Sequence, residues 1–235
     1  MKGSGVVVVT GLPVERMTIR DVELAFWGIG HHMGIPGEQN PQKELLGHVK
    51  DYGESADDPF VRLYRTTSNI RYHCDASDIV GLLCLQPAKT GGQSRVVSTV
   101  TLFNELMVHH PELIDRMFEP FRMDLRGETK PGEPPYSLIT PSQFGEGQLR
   151  TFYHSDYFRS VERHEGISLT SEEKAILDFY DEKGLDPELY LDMWLAPGDM
   201  QFISNHTTAH SRTEYEDHDE PDLKRHLLRL WLSAS

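Results

Sequence analysis

The sequence predicts a mainly β protein with decorating helices, an α+β chain built on a β-sandwich or jelly-roll core. Three observations carry this. Strand-like apolar runs stand toward both ends, helical patterns stand between them, and no βαβ rhythm or internal repeat joins the two. The run "DIVGLLCLQP" (78–87) is continuously apolar and stops at Pro87 before the turn "KTGGQS", as a strand buried on both faces does. In "RHLLRLWL" (225–232), Arg225, Leu227, Arg229 and Trp231 share one side, and His226, Leu228, Leu230 and Leu232 the other. Both sides are rich in apolar residues, so this strand too is expected to be buried.

Along the chain, "VVVV" (6–9) reads as a buried strand closed by Gly-Leu-Pro. "TIRDVELAFWGIGHHMG" reads as a helix, capped by Thr18 with Asp21 in its first turn and broken at Gly28, Gly30 and Gly34. From Glu38 to Asp58 the composition is that of a loop. "FVRLYRTT" (60–67) alternates apolar and polar residues and predicts a half-buried strand. "RVVSTVTLF" (95–103) is a return strand leading into helix, and "NELMVHHPELIDRMFEPF" reads as two short helices split at Pro111. A long excursion, 126–163, holds four prolines and several aromatics. Together with 36–60 it has the composition of a lid, because long loops inside a compact domain usually serve function. "LTSEEKAILDFYDEKG" is a helix with a Thr170–Glu173 capping box and Gly184 as its stop. A strand, the turn 196–199 and another strand follow. The whole chain, 1–235, reads as a single domain with lid segments near 36–60 and 126–165.

Composition excludes several classes. A net charge of −14 argues against nucleic-acid and anionic-membrane partners, which favour basic patches. The two cysteines make no disulfide framework, and a reduced, cytoplasmic setting is expected. The valine run is too short for a signal segment or a membrane span. These features leave a small-molecule substrate as the expected partner and are compatible with a homo-oligomer.

Two His-x-Asp pairs occur, His73-Cys74-Asp75 and His154-Ser155-Asp156. In extended chain, residues i and i+2 point to one side, so either pair can face a metal. The first is favoured because it borders the buried strand 78–87, and rigid elements hold a metal better than loops do. Two histidines and a carboxylate with open positions suit non-haem Fe(II) and oxygen chemistry. His206 and His210 offer the third ligand, and His210 is favoured by the strand that follows it. Arginines on a buried strand need an anion, which either the chain's own acids or a bound carboxylate supplies.

The series "HCD" (73–75), "GGQS" (91–94), "PGDMQFISNHTTAHSR" (197–212) and "RHLLRLWL" (225–232) resembles the TauD/TfdA family, the Fe(II)- and 2-oxoglutarate-dependent dioxygenases with a double-stranded β-helix (jelly-roll) core. The resemblance implies Fe(II), 2-oxoglutarate and O2 as cofactors. It implies His73, Asp75 and His210 as iron ligands and Arg229 as the clamp on the distal carboxylate of 2-oxoglutarate, with Ser94 beside it. Arg225 matches a position that meets a cosubstrate or substrate acid. Asn69, Tyr72 and His154 fall at or near substrate-contacting positions, and Arg62, Arg65 and Arg212 are further donors. The implied reaction acts on a C–H bond of a small anionic or zwitterionic molecule and releases succinate and CO2. Hydroxylation is the default outcome, while desaturation and cyclisation use the same residues. The alternative from another class is a metal-binding β-helix protein without turnover.

Overall fold

A computed structural model of the chain describes residues 3–145 and 147–234. Its framework is two antiparallel sheets packed face to face. The larger sheet runs Val6–Val9, Met200–Ser204, Ile79–Gln86, His226–Ser233, Ile35–Pro36, with Gly47–Val49 also bonded to His226–Ser233. The smaller runs Tyr190–Met193, Ser94–Ser98, Thr208–Arg212, Ile70–His73. Neighbours in each sheet are far apart in sequence, as in a jelly roll, and the expected fold class is the one observed.

Strand alternation sorts the side chains into three layers. Val80, Val96 and Ile203 meet between the sheets, with Met193 and Trp231 against them. The opposite-facing Leu228, Leu230 and Leu232 pack with Phe202 under Val22 and Phe26 of the helix Ile19–His31. Gly30 allows that approach, because a Cβ there would lie 2.5 Å from a Leu230 methyl. On the other side, Tyr72, Val97 and Ala209 of the smaller sheet, with Cys74 just past its strand end, support the helices Thr99–His109 and Ser171–Lys183. Thr18 caps the first helix, and the Thr170–Glu173 capping box forms in the last.

Several expectations change. The Val6–Val9 strand is not buried. It forms the edge of the larger sheet, paired only with Met200–Ser204, and Val7, Val8 and Val9 are 49%, 40% and 43% exposed. The stretch 60–67 forms no strand. Leu63–Arg65 is a short 3-10 turn, with Arg62 and Arg65 bound by Glu128 and Glu54. Its alternation is real, but no sheet edge is offered to its backbone. The second helix after the return strand is two 3-10 turns, Pro111–Leu113 and Asp115–Phe118. The excursion folds into two hairpins, Phe121–Asp124 with Tyr136–Ile139 and Ser142–Gly145 with Gln148–Thr151, followed by the helix Ser155–Ser160. Among the described residues, no helix is long and apolar enough to cross a membrane.

Candidate metal centre

Antiparallel register builds the centre. His73 ends the Ile70–His73 strand, and its Cα partner in the neighbouring Thr208–Arg212 strand is His210. Residues directly opposite on paired strands bring their side chains together, and the two imidazole centroids lie 4.2 Å apart. Asp75 follows two residues later. Asn205 Oδ1 accepts its backbone N–H at 3.1 Å, which holds the chain as it leaves the strand. Asp75 Oδ1 is 3.7 Å from His73 Nε2, and Oδ2 is 3.6 Å from His210 Nε2. One ligand atom from each of the three residues falls within 4.8 Å of the others, and all three residues are buried.

Orientation comes from the surrounding shell. His73 Nδ1 donates to the carbonyl of Arg71 at 2.9 Å, turning Nε2 toward the group. Trp231 Nε1–H donates to Asp75 Oδ2 at 2.9 Å, and Arg229 Nη1 stands 4.0 Å from the same oxygen. Burial alone would raise the Asp75 carboxyl, but Arg229, His210 and His73, with the Trp231 bond, outweigh it and hold the carboxyl at about 2. Burial, aided by neighbouring His73, pushes the His210 imidazole down to about 3. At neutral pH the pocket therefore presents a carboxylate and a neutral His210 imidazole, the protonation states that ligate a cation. Two imidazoles and one carboxylate converging from one side fit a non-haem Fe(II) ion with open positions.

The triad opens into a cleft of about 1050 Å³. Its walls come from 38–43, 62–64, 123–133 and 152–157, and Arg229 and Trp231 line its inner end. His154 lines it too. Its ring stacks on Tyr157 with centroids 3.9 Å apart and stands 5.0 Å from that of His73. Burial, then His73, holds the His154 imidazole well below its ordinary range. The second His-x-Asp pair thus borders the first: His154 bridges to His73 through the backbone, and Asp156 lies 3.6 Å from Arg71. His206 faces away and pairs with Asp78 at 2.5 Å.

Other expected site residues lie elsewhere. Asn69 is exposed, and Tyr72 is buried in the helix-facing core, so both border a separate hollow with Arg95 and Asp181. The reason for Tyr72 is alternation: a residue next to His73 in a strand points to the opposite face. Cys74 obeys the same rule, and its burial raises the thiol to about 12. Ser94 is buried and donates to Gln201 Oε1 at 2.8 Å. Arg225 does not line the cleft. It lies with Arg212 against the Tyr215 ring, at 5.1 and 4.8 Å from its centroid. Sequence reasoning passed over Trp231, Asn205, Tyr157 and Gln39. Only Trp231 carried a signal, since it shares the Arg229 face of its strand.

The comparisons agree with this geometry. A family model described as "Taurine catabolism dioxygenase TauD, TfdA family" matches residues 1–231. The chain belongs to this family. As a member it is a non-haem Fe(II)/2-oxoglutarate-dependent dioxygenase, with Fe(II), 2-oxoglutarate and O2 as its cofactors. It is 34% identical to the FR-33289 synthase of Streptomyces rubellomurinus over 99% of this chain and 70% of that protein. It shares its fold with an asparagine oxygenase solved with Fe(II), 3-hydroxyasparagine and succinate. There the TM-score is 0.76 at 17% identity, covering 97% of this chain and 74% of the other. The non-haem iron oxygenase OrfP, solved with Fe and alpha-ketoglutaric acid, gives a TM-score of 0.71 at 15% identity over 98% and 76%.

Proposed function

We propose that this TauD/TfdA dioxygenase hydroxylates a C–H bond of a small anionic or zwitterionic, amino-acid-like substrate, with His73, Asp75 and His210 as the metal ligands. The observation that carries the reading is the buried His-Asp-His triad at the inner end of a large cleft. When bound, iron with 2-oxoglutarate supplies the oxidising power. The chain's share is to hold ligands, clamp the cosubstrate and place the target bond.

The arginines divide that work differently from the expectation drawn from the resemblance. Arg229 already has partners: Nε donates to Gln39 Oε1 at 2.8 Å, and its guanidinium lies 4.7 Å from the Tyr64 and 4.9 Å from the Trp231 ring centroid. Arg225 Nη1 and Arg212 Nε and Nη1 are buried with no hydrogen-bond partner. Burial, then neighbouring Arg225, pulls the Arg212 guanidinium down to about 9. Unpaired buried N–H groups on two adjacent cations call for an anion. Ser94 stands opposite Arg212 in register. This favours Arg225, with Arg212 and Ser94, as the clamp on the distal carboxylate, and Arg229 as the cation beside the metal. Arg229, Arg62, His154 and Tyr157 then face the prime substrate, and Asn69 and Tyr72 drop out of its contact set. The molecules bound in structures of the same fold, 3-hydroxyasparagine and hydroxyarginine, are of this polar, charged kind.

The test is anaerobic titration of the Fe(II) protein with 2-oxoglutarate, following the visible charge-transfer band, then a screen of amino acids and related acids for succinate release in air. Iron bound without the band, or succinate release that survives His73→Ala, would refute the assignment.

A further inference from the structure

Gln39 is a polar side chain only 2% exposed, on the cleft wall, and every polar atom it carries is used. Nε2 donates to two carbonyls, that of Arg229 at 2.8 Å and that of Leu45 at 3.0 Å. Oε1 accepts Arg229 Nε at 2.8 Å. One amide therefore grips both the backbone and the guanidinium of Arg229. The space it occupies exists because Gly47, the residue opposite Arg229 in the strand pair, has no side chain; a Cβ there would lie 2.8 Å from Gln39 Oε1.

The main chain of Gln39 faces the other way. Its N–H donates to Glu44 at 2.9 Å, and its carbonyl accepts Arg62 Nη1 at 2.7 Å. The rest of the Arg62 fork is held by both Glu128 oxygens, at 2.6 and 2.8 Å, across the cleft mouth. A continuous series of contacts thus runs Glu128–Arg62–Gln39–Arg229–Asp75, from the mouth to the metal carboxylate. Its outer pair is partly exposed, but the bidentate geometry makes it stronger than an ordinary surface ion pair. Its inner members are buried and hydrogen-bonded.

We propose that Gln39 is a positioning residue: it fixes the Arg229 guanidinium against Asp75 and ties that placement to the seating of the wall loop by Arg62 and Glu128. This rests on reading His73, Asp75 and His210 as the metal ligands. Freed from Gln39, Arg229 keeps only ring contacts and a 4.0 Å approach to Asp75, and its long side chain regains rotamers. The cation that attracts the incoming 2-oxoglutarate dianion is then no longer held at the metal.

The experiment is a double-mutant cycle on the affinity of the Fe(II) protein for 2-oxoglutarate, read anaerobically from the charge-transfer band. Gln39→Met should weaken binding by about fivefold and Arg229→Ala by about tenfold, the latter at the lower end of the roughly 10- to 100-fold that outer-shell partners of metal ligands command. The double variant should match Arg229→Ala alone, because Gln39 acts through Arg229. Gln39→Glu keeps an acceptor for Nε but loses donated bonds and sets a negative charge against Arg229, so it should weaken binding more than Gln39→Met does even where the two melt at the same temperature. Gly47→Ala should weaken binding as Gln39→Met does, by pushing Oε1 aside without altering Gln39. Multiplying effects in the double variant, or affinity that follows melting temperature across the set, would overturn the proposal. Absence of the band in the unaltered protein with iron bound would instead overturn the metal-site reading beneath it.

Discussion

Replacing Trp231 with phenylalanine isolates one hydrogen bond at the metal centre. Phenylalanine keeps an aromatic face for Arg229 and removes the Nε1–H that donates to Asp75 Oδ2 at 2.9 Å. A hydrogen bond to a charged group is worth about 1.5–3 kcal/mol net, or roughly 10- to 100-fold in an equilibrium constant. Metal affinity should fall within that range. Protonation does not explain such a loss. With the carboxyl held at about 2 by the charges around it, removing one of several stabilising contacts leaves Asp75 ionised at neutral pH. The loss should therefore be the same at pH 6.5 and pH 8, because it reflects an Asp75 no longer aimed. Anaerobic competition against a chelator at both pH values measures it. An unchanged dissociation constant, or a deficit that disappears at the higher pH, would refute the reasoning.

Arg225→Ala should weaken 2-oxoglutarate binding by about 100-fold, against about tenfold for Arg229→Ala, since a buried charged contact is costlier to lose than a long-range attraction; the reverse order in a band titration would restore Arg229 as the distal clamp. Saturating 2-oxoglutarate should raise the melting temperature of the Fe(II) protein, and Arg225→Ala should abolish most of that rise. His226 touches His48 across 2.8 Å, and burial, then His48 and Lys50, holds it down at about 4. An unfolded histidine takes its proton near pH 6.5, so between that pH and about 4 the unfolded chain binds a proton there that the folded chain refuses. Stability falls with pH through that window, and His226→Gln should flatten the fall in denaturant titrations of the metal-free protein. Gly198 has φ +86, and a Cβ would lie 2.0 Å from the Leu12 carbonyl oxygen; Gly198→Ala should cost about 1–3 kcal/mol in chemical denaturation.

What the sequence disclosed follows how each feature is encoded. The strands Ile79–Gln86 and His226–Ser233 were legible because burial on both faces demands unbroken apolar runs. The candidate ligand pair His73 and Asp75 was legible because period two is written locally. His210 was harder, since its place opposite His73 is a matter of register between strands distant in sequence. The exposed Val6–Val9 edge misled because a valine run encodes strand, not position within a sheet. The stretch 60–67 misled because alternation says nothing about whether a partner edge exists. The division of work proposed for Arg225 and Arg229 was not legible for a further reason. Alternation in the sequence puts both on one side of an extended run, and only the third dimension shows that Gln39, from a loop, binds Arg229 while Arg225 Nη1 is left without a hydrogen-bond partner.

The charge distribution links these observations. The chain carries net charge −14, yet Arg212, Arg225 and Arg229 are buried between its sheets. An acidic exterior slows the approach of anions, so their capture is left to short-range contacts inside. There the cations are graded by what already satisfies them. Arg62 is bound bidentately by Glu128, Arg229 is gripped by Gln39 and faces Asp75, and Arg225 and Arg212 are left with unpaired N–H groups. A dicarboxylate gains most by reaching the inner pair, where its far end meets donors that no protein group has claimed. On the proposed assignment, Arg229 beside the metal and Arg62 on the cleft wall remain for the substrate. The sheets thus fix where the ligands point, and the loops fix which cation is free. On the proposed function, substrate choice is therefore written in the loops.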